Sequence, residues 1–470
     1  MAKGQRVLAN GDVFVHMPAT DEHRDVALLT GLLGEPPLPV PTVHTPAIFV
    51  DGRVHTAATA FLATRAAKAR ATQQTTAESL AYWIHWLRTE RGHISSDEAN
   101  SDVFVATEED LHDYHADRQF RPGPWRVEAT TWRRHLSAIK QFHEYARQRY
   151  GLPLPFTLHD AYTASGHVVK TTGLSPRVRR TSAGTAIEPT WAQALIQGAW
   201  RMTANGDDLA TDIAERDVAM LSLCLGTGVR RRTAHVTTIH ELPPARPHAA
   251  LNKFLVADAI TKNDAGGMAL AFERRLQAVR DYIDGARRDH AALTARHHHP
   301  PDPLLLTRAN QTDWEAVDDN GVIVHGRWAQ TDEHTRRRMI HEDGTSPVIF
   351  LSNDRGLPIS YSNAGAILRA ARQFTIEHIQ PAFPAHFRLH DCRHTFAVHL
   401  VCAIVLGRLR HEFDNPSITS PFTTPLIRDA VHIAAASLGH ADPATTKLYL
   451  TSATHQLMAG IPADHFVAEL

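Results

Sequence analysis

The spacing of apolar residues predicts a mainly helical chain. Apolar positions recur every three or four residues through much of the sequence, which is the period of an amphipathic helix. In a helix predicted over 129–150, Trp132, Leu136, Ile139 and Phe142 lie on one face. Six further helices are predicted over 190–203, 212–225, 273–290, 362–378, 391–410 and 425–438.

One region has a β pattern. Short apolar runs at 253–256 and 268–272 flank Asn263, Asp264, Ala265, Gly266 and Gly267. Two such runs around a turn rich in Asn, Asp and Gly predict a β-hairpin. The expected fold class is therefore mainly α with a small β-sheet or hairpin.

Changes in composition divide the chain. Residues 1–45 are rich in Pro, Gly and His and predict a loosely ordered N-terminal arm. A helical domain is expected over 46–155, a Pro- and Gly-containing linker over 156–188, and a larger domain over 189–470. Within the larger domain, the polar segment at about 291–346 is expected to be an insertion.

The overall charge does not suggest a nucleic-acid ligand, but the local charge does. The formal net charge is -1, whereas 118–149 contains eight Lys and Arg against two acidic residues. This stripe is either a solvated helix face or a surface that follows a phosphate backbone. The candidate DNA-binding residues, taken from it and from the linker, are Arg133, Arg134, Lys140, Arg177, Arg179 and Arg180.

Cysteine usage and hydropathy indicate the cellular compartment in which the protein is expected. Three cysteines at 224, 392 and 402 fit neither a disulfide framework nor a zinc motif, so a cytoplasmic protein without a structural metal is expected. The N-terminus has no apolar signal region. The apolar stretch at about 396–406 is too short to span a bilayer, so no membrane partner is expected.

Cationic and imidazole residues cluster in the second half of the chain, before one late tyrosine. The candidate catalytic residues are Arg230, Lys262, His390, Arg393, His440 and Tyr449. Two arginines that converge on one phosphate can hold its oxygens in bidentate fashion, and fixed cations stabilise phosphoryl transfer. A tyrosine hydroxyl becomes a nucleophile when nearby positive charge and an imidazole promote loss of its proton.

The order and spelling of these clusters resemble the tyrosine recombinase (phage integrase) family. The segment Leu-His-Asp-Cys-Arg-His-Thr-Phe-Ala (389–397) is similar to its His-x-x-Arg box, and 438–449 is similar to its final His…Tyr box. Gly-Thr-Gly-Val-Arg (226–230) resembles the box with the first arginine, and 350–358 resembles the segment before the later boxes. The likeness covers about 190–455 closely and 50–150 loosely.

The resemblance implies a helical core-binding domain followed by an integrase-type catalytic domain. It implies that Tyr449 attacks the scissile phosphate of double-stranded DNA and forms a 3′-phosphotyrosine intermediate. Arg230 and Arg393 would hold the phosphate oxygens, and His390 would assist proton transfer at the nucleophile. A site-specific recombinase of a mobile element, acting as a homotetramer on DNA without a cofactor, is expected.

By the same resemblance, His440 would stabilise the transition state and Lys262 would protonate the leaving 5′-oxygen. The family often has an acidic residue three positions after its first arginine, where this chain has Thr233. Two alternatives stay open: a type IB topoisomerase-like enzyme that relaxes DNA, and a catalytically silent DNA-binding protein of the same fold.

Overall fold

A computed structural model describes residues 5–7, 13–16, 45–68, 70–93, 101–162, 168–176, 185–209, 211–261, 266–412, 423–439, 443–459 and 466. The chain forms two compact units, Met1–Thr181 and Ser182–Leu470. Helices dominate both units and the strands form small sheets, so the predicted fold class is confirmed.

The first unit combines a small antiparallel sheet with a helical core. Its strands are β1 (Gln5–Val7), β2 (Val13–His16), β3 (Ala47–Val50), β4 (Arg53–Val54), β5 (His159–Tyr162) and β6 (Val168–Thr171). Its helices are α1 (Thr56–Ala63), α2 (Arg70–Arg91), α3 (Ser101–Phe104), α4 (Glu108–Gln119) and α5 (Ala129–Tyr150). Strands β1 to β4 form one sheet in that order, and β5 pairs with β6 separately.

Four buried aromatic residues hold α2, α4 and α5 together. Tyr114 of α4 lies 5.0 Å from Trp83, 5.2 Å from Trp86 and 5.7 Å from Trp132 between ring centroids. The Trp132 indole also donates to the carbonyl of Leu174 at 2.9 Å. The predicted apolar face of the 129–150 helix therefore packs in the core, where large aromatic side chains contribute much of the buried area.

Two domain expectations for this unit, the arm at 1–45 and the linker at 156–188, stay predictions, and the structure adds short strands to both segments. Strands β1 and β2 lie inside the segment predicted as a loosely ordered arm, and their Val13 and Val15 are buried. Strands β5 and β6 lie inside the predicted linker, and Phe156 and Leu174 pack in the core of the first unit. These short strands are ordered by pairing and packing with distant segments, and local composition does not report such contacts.

The second unit contains the longer helices. They are α6 (Pro189–Trp200), α7 (Ala214–Thr227), α8 (Arg231–Ala234), α9 (Glu273–Asp284), α10 (Arg287–His297), α11 (Glu333–Arg338), α12 (Tyr361–His378), α13 (Leu389–Glu412), α14 (Thr423–Ser437) and α15 (Pro443–Met458). The helix predicted over 273–290 is instead two helices, because α9 ends at Asp284 and α10 begins at Arg287. The predicted hairpin is confirmed: β7 (Leu251–Val256) pairs with β8 (Gly267–Phe272) in antiparallel register.

Helix α13 is the central helix of the second unit. Almost every residue from Asp391 to Leu406 is buried, and α13 packs against α7, α14 and α15. A helix that is apolar on all sides is buried in a core or in a membrane. Its Leu389–Gly407 segment is long and apolar enough to cross a membrane, but 83% of that window is buried inside the protein, as expected of a core helix.

The 291–346 segment, expected to be a polar insertion, contains a folded sheet. Strands β9 (Leu304–Ala309), β10 (Asp313–Val317), β11 (Ile323–Arg327) and β12 (Met339–His341) are ordered β11-β10-β9-β12. Trp314 of β10 and Trp328 are buried in the hydrophobic core of this segment. Only alternate residues of each strand face this core, so the segment is folded despite its polar composition.

A buried ion pair joins this segment to the rest of the second unit. Arg336 of α11 is fully buried, and its guanidinium donates to both carboxylate oxygens of Glu241. It also donates to the carbonyls of Thr331 and Trp328, each at 2.8 Å. Glu241 in turn accepts from the Thr238 amide at 2.8 Å. Both charged groups are therefore fully hydrogen-bonded. If either partner were removed, the other would be a buried charge without a counter-ion.

Replacing Arg336 tests this connection. Arg336→Gln should lower the free energy of unfolding by about 3–5 kcal/mol, because the Glu241 carboxylate would stay buried without its cation. Urea unfolding at neutral pH measures the change. The control is Arg288→Gln, since Arg288 pairs with Asp284 while both side chains are 73% exposed; its effect should be below about 1 kcal/mol. Equal losses of stability in the two variants would show that the buried ion pair contributes no more to stability than the exposed one.

Candidate active site

The guanidinium of Arg393 connects three helices. Arg393 lies near the start of α13 and is 5% exposed. Its Nη1 donates to the carbonyl of Gly228 at 2.9 Å, directly after α7, and its Nη2 donates to the carbonyl of Leu438, directly after α14. Carbonyls at helix C-termini lack intrahelical partners and carry partial negative charge, so a guanidinium satisfies them well.

Gly228 is required at the first of these contacts. Its φ is +64°, and its amide closes α7 by donating to the carbonyl of Cys224 at 3.0 Å. A Cβ at this position would lie 2.5 Å from Cδ1 of Phe396 and 2.7 Å from Cδ2 of Leu438. Both the left-handed backbone and the close approach favour glycine. The Gly-Thr-Gly-Val-Arg box therefore contributes a structural glycine, Gly228, in addition to Arg230.

Arg230 and Arg393 line the same cleft. Arg230 is half-buried at the start of α8, and the cleft of about 110 Å³ also contacts Thr227, Thr233 and Thr261. No carboxylate lines the cleft among the residues that the structure describes. Arginine stays protonated at neutral pH, so the described lining of the cleft has two positive charges and no carboxylate.

Burial and neighbouring charge lower the pKa values of the two arginines. Burial lowers the pKa of Arg230. Burial, and then the neighbouring charge of Arg230, lower the pKa of Arg393 to about 10. Like charges in a partly buried site destabilise each other unless an anion binds between them. The arrangement therefore favours binding of an anion.

Tyr449 lies beside this arginine pair. It is on α15 and is 2% exposed. Burial raises the pKa of its hydroxyl to about 12, while Arg393 and Arg230 act in the opposite direction. The structure thus brings Arg230, Arg393 and Tyr449 within electrostatic reach of one another. Arg230 and Tyr449 are 219 positions apart in the sequence.

His390 and His394 complete the described part of the site. His390 is exposed at the start of α13, and its pKa is lowered by partial burial and by Arg393, so the imidazole is neutral at pH 7. His394, four residues on, is buried, and its ring centroid lies 4.8 Å from that of His390 and 5.6 Å from that of Tyr449. The sequence prediction quoted His394 only as part of the motif. Its spacing of four from His390 on one helix was the available signal.

Three other predicted features have different outcomes. Lys262 and His440 lie outside the described residues, although their neighbours Thr261 and Gly439 line the cleft. Thr233 is buried at the cleft, and its hydroxyl donates to the carbonyl of Ile260 at 3.2 Å. The position that is often acidic in the family is therefore filled here by an uncharged side chain with a backbone partner.

The predicted DNA-binding residues of the first unit lie mainly on α5. Arg133 and Arg134 are exposed there, and the ammonium of Lys140 donates to the carbonyl of Lys170 at 2.9 Å. The three linker arginines lie outside the described residues: Arg177, Arg179 and Arg180. Exposed arginines on one helix are suited to phosphate contacts.

Two arginines of the predicted basic stripe are not free for such contacts. Arg118 is 2% exposed and donates to the carbonyl of Trp125 at 2.7 Å. Arg121 is paired with Asp113 at 3.1 Å and Asp117 at 3.0 Å. The stripe is thus less basic at the surface than the sequence count indicates, because burial and acids of α4 remove these two charges.

Comparison with known proteins gives matches only among solved structures. No protein-family model and no curated protein matches the chain. The XerH site-specific recombinase bound to palindromic difH substrate in a post-cleavage complex matches with a TM-score of 0.45 and 11% identity, over 83% of this chain and 78% of that one. The Tn1549 transposon integrase in complex with transposon right end DNA matches with a TM-score of 0.42 and 12% identity, over 85% and 98%.

The integrase from mycobacterium phage Brujita matches with a TM-score of 0.24 and 10% identity, over 84% of this chain and 98% of that one. The chain resembles site-specific recombinases and integrases. The sequence motifs resemble the same family. Because the identities are 12% or lower and the TM-scores are below 0.5, the functional assignment depends on the geometry of the site.

Gly228→Ala tests how closely the site is packed. It should lower the free energy of unfolding by roughly 1–3 kcal/mol, because the new Cβ requires Phe396 and Leu438 to shift. Denaturant unfolding measures the change. Gly206→Ala is the control, since Gly206 also has a positive φ, of +90°, but no atom within 4 Å of an added Cβ. If both variants lose the same amount of stability, backbone strain alone explains the requirement for glycine at position 228.

Proposed function

We propose that this protein is a site-specific DNA recombinase of the tyrosine type, which cleaves and rejoins DNA through a 3′-phosphotyrosine intermediate. The observation that supports it most directly is that Arg230 and Arg393 line one cleft without a described carboxylate, while Tyr449 lies within electrostatic reach of both. Two cations beside a phenol suit an anionic substrate that the phenol attacks.

The arginine pair binds the scissile phosphodiester. A phosphate between Arg230 and Arg393 replaces the repulsion of two like charges by two attractive contacts. The planar guanidinium presents several N–H donors in a fixed geometry that matches phosphate oxygens. Arg393 is held by its two backbone contacts before the substrate arrives, so its orientation needs little rearrangement on binding.

Tyr449 is the nucleophile in this proposal. Its oxygen forms a bond to phosphorus as the bond from phosphorus to the 5′-oxygen breaks. Because the pKa of the hydroxyl is raised to about 12, the phenol is protonated at neutral pH and must lose a proton during attack. The neutral imidazole of His390 accepts that proton, and the leaving 5′-oxygen receives one from Lys262. His440 stabilises the charge of the transition state.

Rejoining is the reverse of cleavage. A 5′-hydroxyl from a new strand attacks the phosphotyrosine, the bond to Tyr449 breaks, and the phenol recovers its proton. The phosphotyrosine conserves the energy of the phosphodiester, so no nucleotide cofactor is consumed. Double-stranded DNA is the proposed partner, and the family resemblance implies a homotetramer on it.

Tyr449→Phe tests the nucleophile. The variant should bind DNA with an affinity close to that of the wild type but form no covalent adduct, because it lacks only the attacking oxygen. A nicked suicide substrate that traps the phosphotyrosine, resolved on a denaturing gel, measures adduct formation. A covalent adduct formed by this variant would contradict the assignment of Tyr449.

The matched control for this experiment is Tyr361→Phe. Tyr361 is 47% exposed on α12 in the same unit, and its ring packs under the guanidinium of Arg231 at 3.5 Å. Removal of its hydroxyl should leave adduct formation unchanged. The same suicide substrate separates the proposal from a silent DNA-binding protein, which would yield no adduct with the wild-type chain either.

Arg133→Gln combined with Arg134→Gln tests the proposed phosphate contacts of α5. The logarithm of the DNA association constant should fall less steeply with the logarithm of salt concentration, by roughly 2 units of slope, because about 0.9 counterion is released per phosphate contact. The control is Arg121→Gln, whose charge is already compensated by Asp113 and Asp117. An unchanged slope in the double variant would remove these residues from the interface.

A further inference from the structure

The ring of His394 contacts both His390 and Tyr449. His394 follows Arg393 directly on α13 and lies one helical turn after His390. Its ring meets the His390 ring edge-on, at 84° and 4.8 Å, and meets the Tyr449 ring at 54° and 5.6 Å. Contacts of this kind orient one ring against another.

His394 is more enclosed than His390. It is 7% exposed, whereas His390 is an exposed residue. Its Nδ1 is buried and has no hydrogen-bond partner among the described residues. No described hydrogen bond through this nitrogen therefore orients the ring, so its orientation depends on packing against neighbouring rings.

The surroundings of His394 keep its ring neutral. Burial, His390 and Arg393 together lower its pKa to about 4. A neutral ring adds no third positive charge beside the two arginines. It is also a weaker base than an imidazole of ordinary pKa. The ring is therefore better suited to packing than to acid–base chemistry.

Helices α13 and α15 are packed together at this point. Tyr449 belongs to the same hydrophobic cluster as Phe396 and Val398 of α13, and it is almost fully buried. His394 directly follows Arg393 on α13, and the charge of Arg393 acts on its ring. A side chain in this position limits where the phenol can lie relative to the arginine pair.

We propose that His394 is a positioning residue that holds the ring of Tyr449 against the arginine pair through ring-to-ring packing. This inference rests on the proposed function, in which Tyr449 is the nucleophile. A misplacement of about 1 Å in a reacting group can slow a reaction by roughly 100-fold. His394 acts on the rate of cleavage and not on the affinity for DNA.

The experiment compares His394→Ala with His394→Phe in the full chain. Single-turnover adduct formation is measured on the suicide substrate with protein in saturating excess, and the dissociation constant for the same DNA is measured separately. His394→Ala should slow adduct formation by roughly 10- to 100-fold, with DNA affinity unchanged within about twofold. His394→Phe should recover the rate to within about threefold of the wild type, because it restores a ring without a nitrogen.

His399→Ala is the matched control on the same helix. His399 is fully buried, its Nε2 lies 2.8 Å from the carbonyl of Ile187, and its ring contacts Phe466. Its loss should lower the temperature of unfolding without changing the single-turnover rate of the folded protein. A rate in His394→Ala equal to that of the wild type would overturn the proposal, as would a His394→Phe variant as slow as His394→Ala.

Nitration of Tyr449 by tetranitromethane, followed by mass spectrometry, measures how well packing protects the Tyr449 ring. This measurement does not depend on catalysis. Tyr449 should be protected in the wild type and in His394→Phe, and should become reactive in His394→Ala. If the wild type forms no adduct but this pattern holds, the positioning contact stands and the proposed function fails. Equal protection in all three proteins would overturn the positioning role whatever the adducts show.

Discussion

The candidate site depends on one buried guanidinium that satisfies the ends of two helices. Arg393 of α13 donates to the carbonyl of Gly228 after α7 and to the carbonyl of Leu438 after α14. These contacts compensate partial charges that would otherwise be buried without partners. They also fix the short segments on which the remaining groups lie, since Arg230 follows Gly228 by two residues.

The same arrangement leaves the site electrostatically incomplete. Burial lowers the pKa of both arginines, the charge of Arg230 lowers that of Arg393 further, and no described carboxylate lines their cleft. The protein tolerates this because the hydrophobic packing around α13 stabilises the fold independently. In the proposed function, the phosphate of the substrate supplies the missing charge. Stability and substrate binding would then be separated, with packing holding the arginines in place and the phosphate neutralising them.

Tyr449 shows a similar division between packing and chemistry. Its burial alone would make the hydroxyl a poor nucleophile, and the arginines offset that effect only in part. The proposed reaction requires a proton acceptor and an accurate ring position, and we assign these two roles to different imidazoles. His390 is exposed and can exchange protons with solvent, whereas His394 is enclosed between the two rings.

The sequence by itself determined the helices, the β7–β8 hairpin and the choice of residues that could carry phosphoryl transfer. These follow from local patterns: apolar residues at helical spacing, turn residues between short apolar runs, and motif boxes in a fixed order. Tertiary structure alone decided that the strands at 5–7 and 13–16 are ordered, that Arg118 is buried, and that His394 contacts Tyr449. Each of these outcomes depends on contacts between residues far apart in the chain, and such contacts leave no periodic signal in the local sequence. Burial and electrostatic coupling are properties of the packed molecule, so a list of charged residues cannot show which charges remain at the surface.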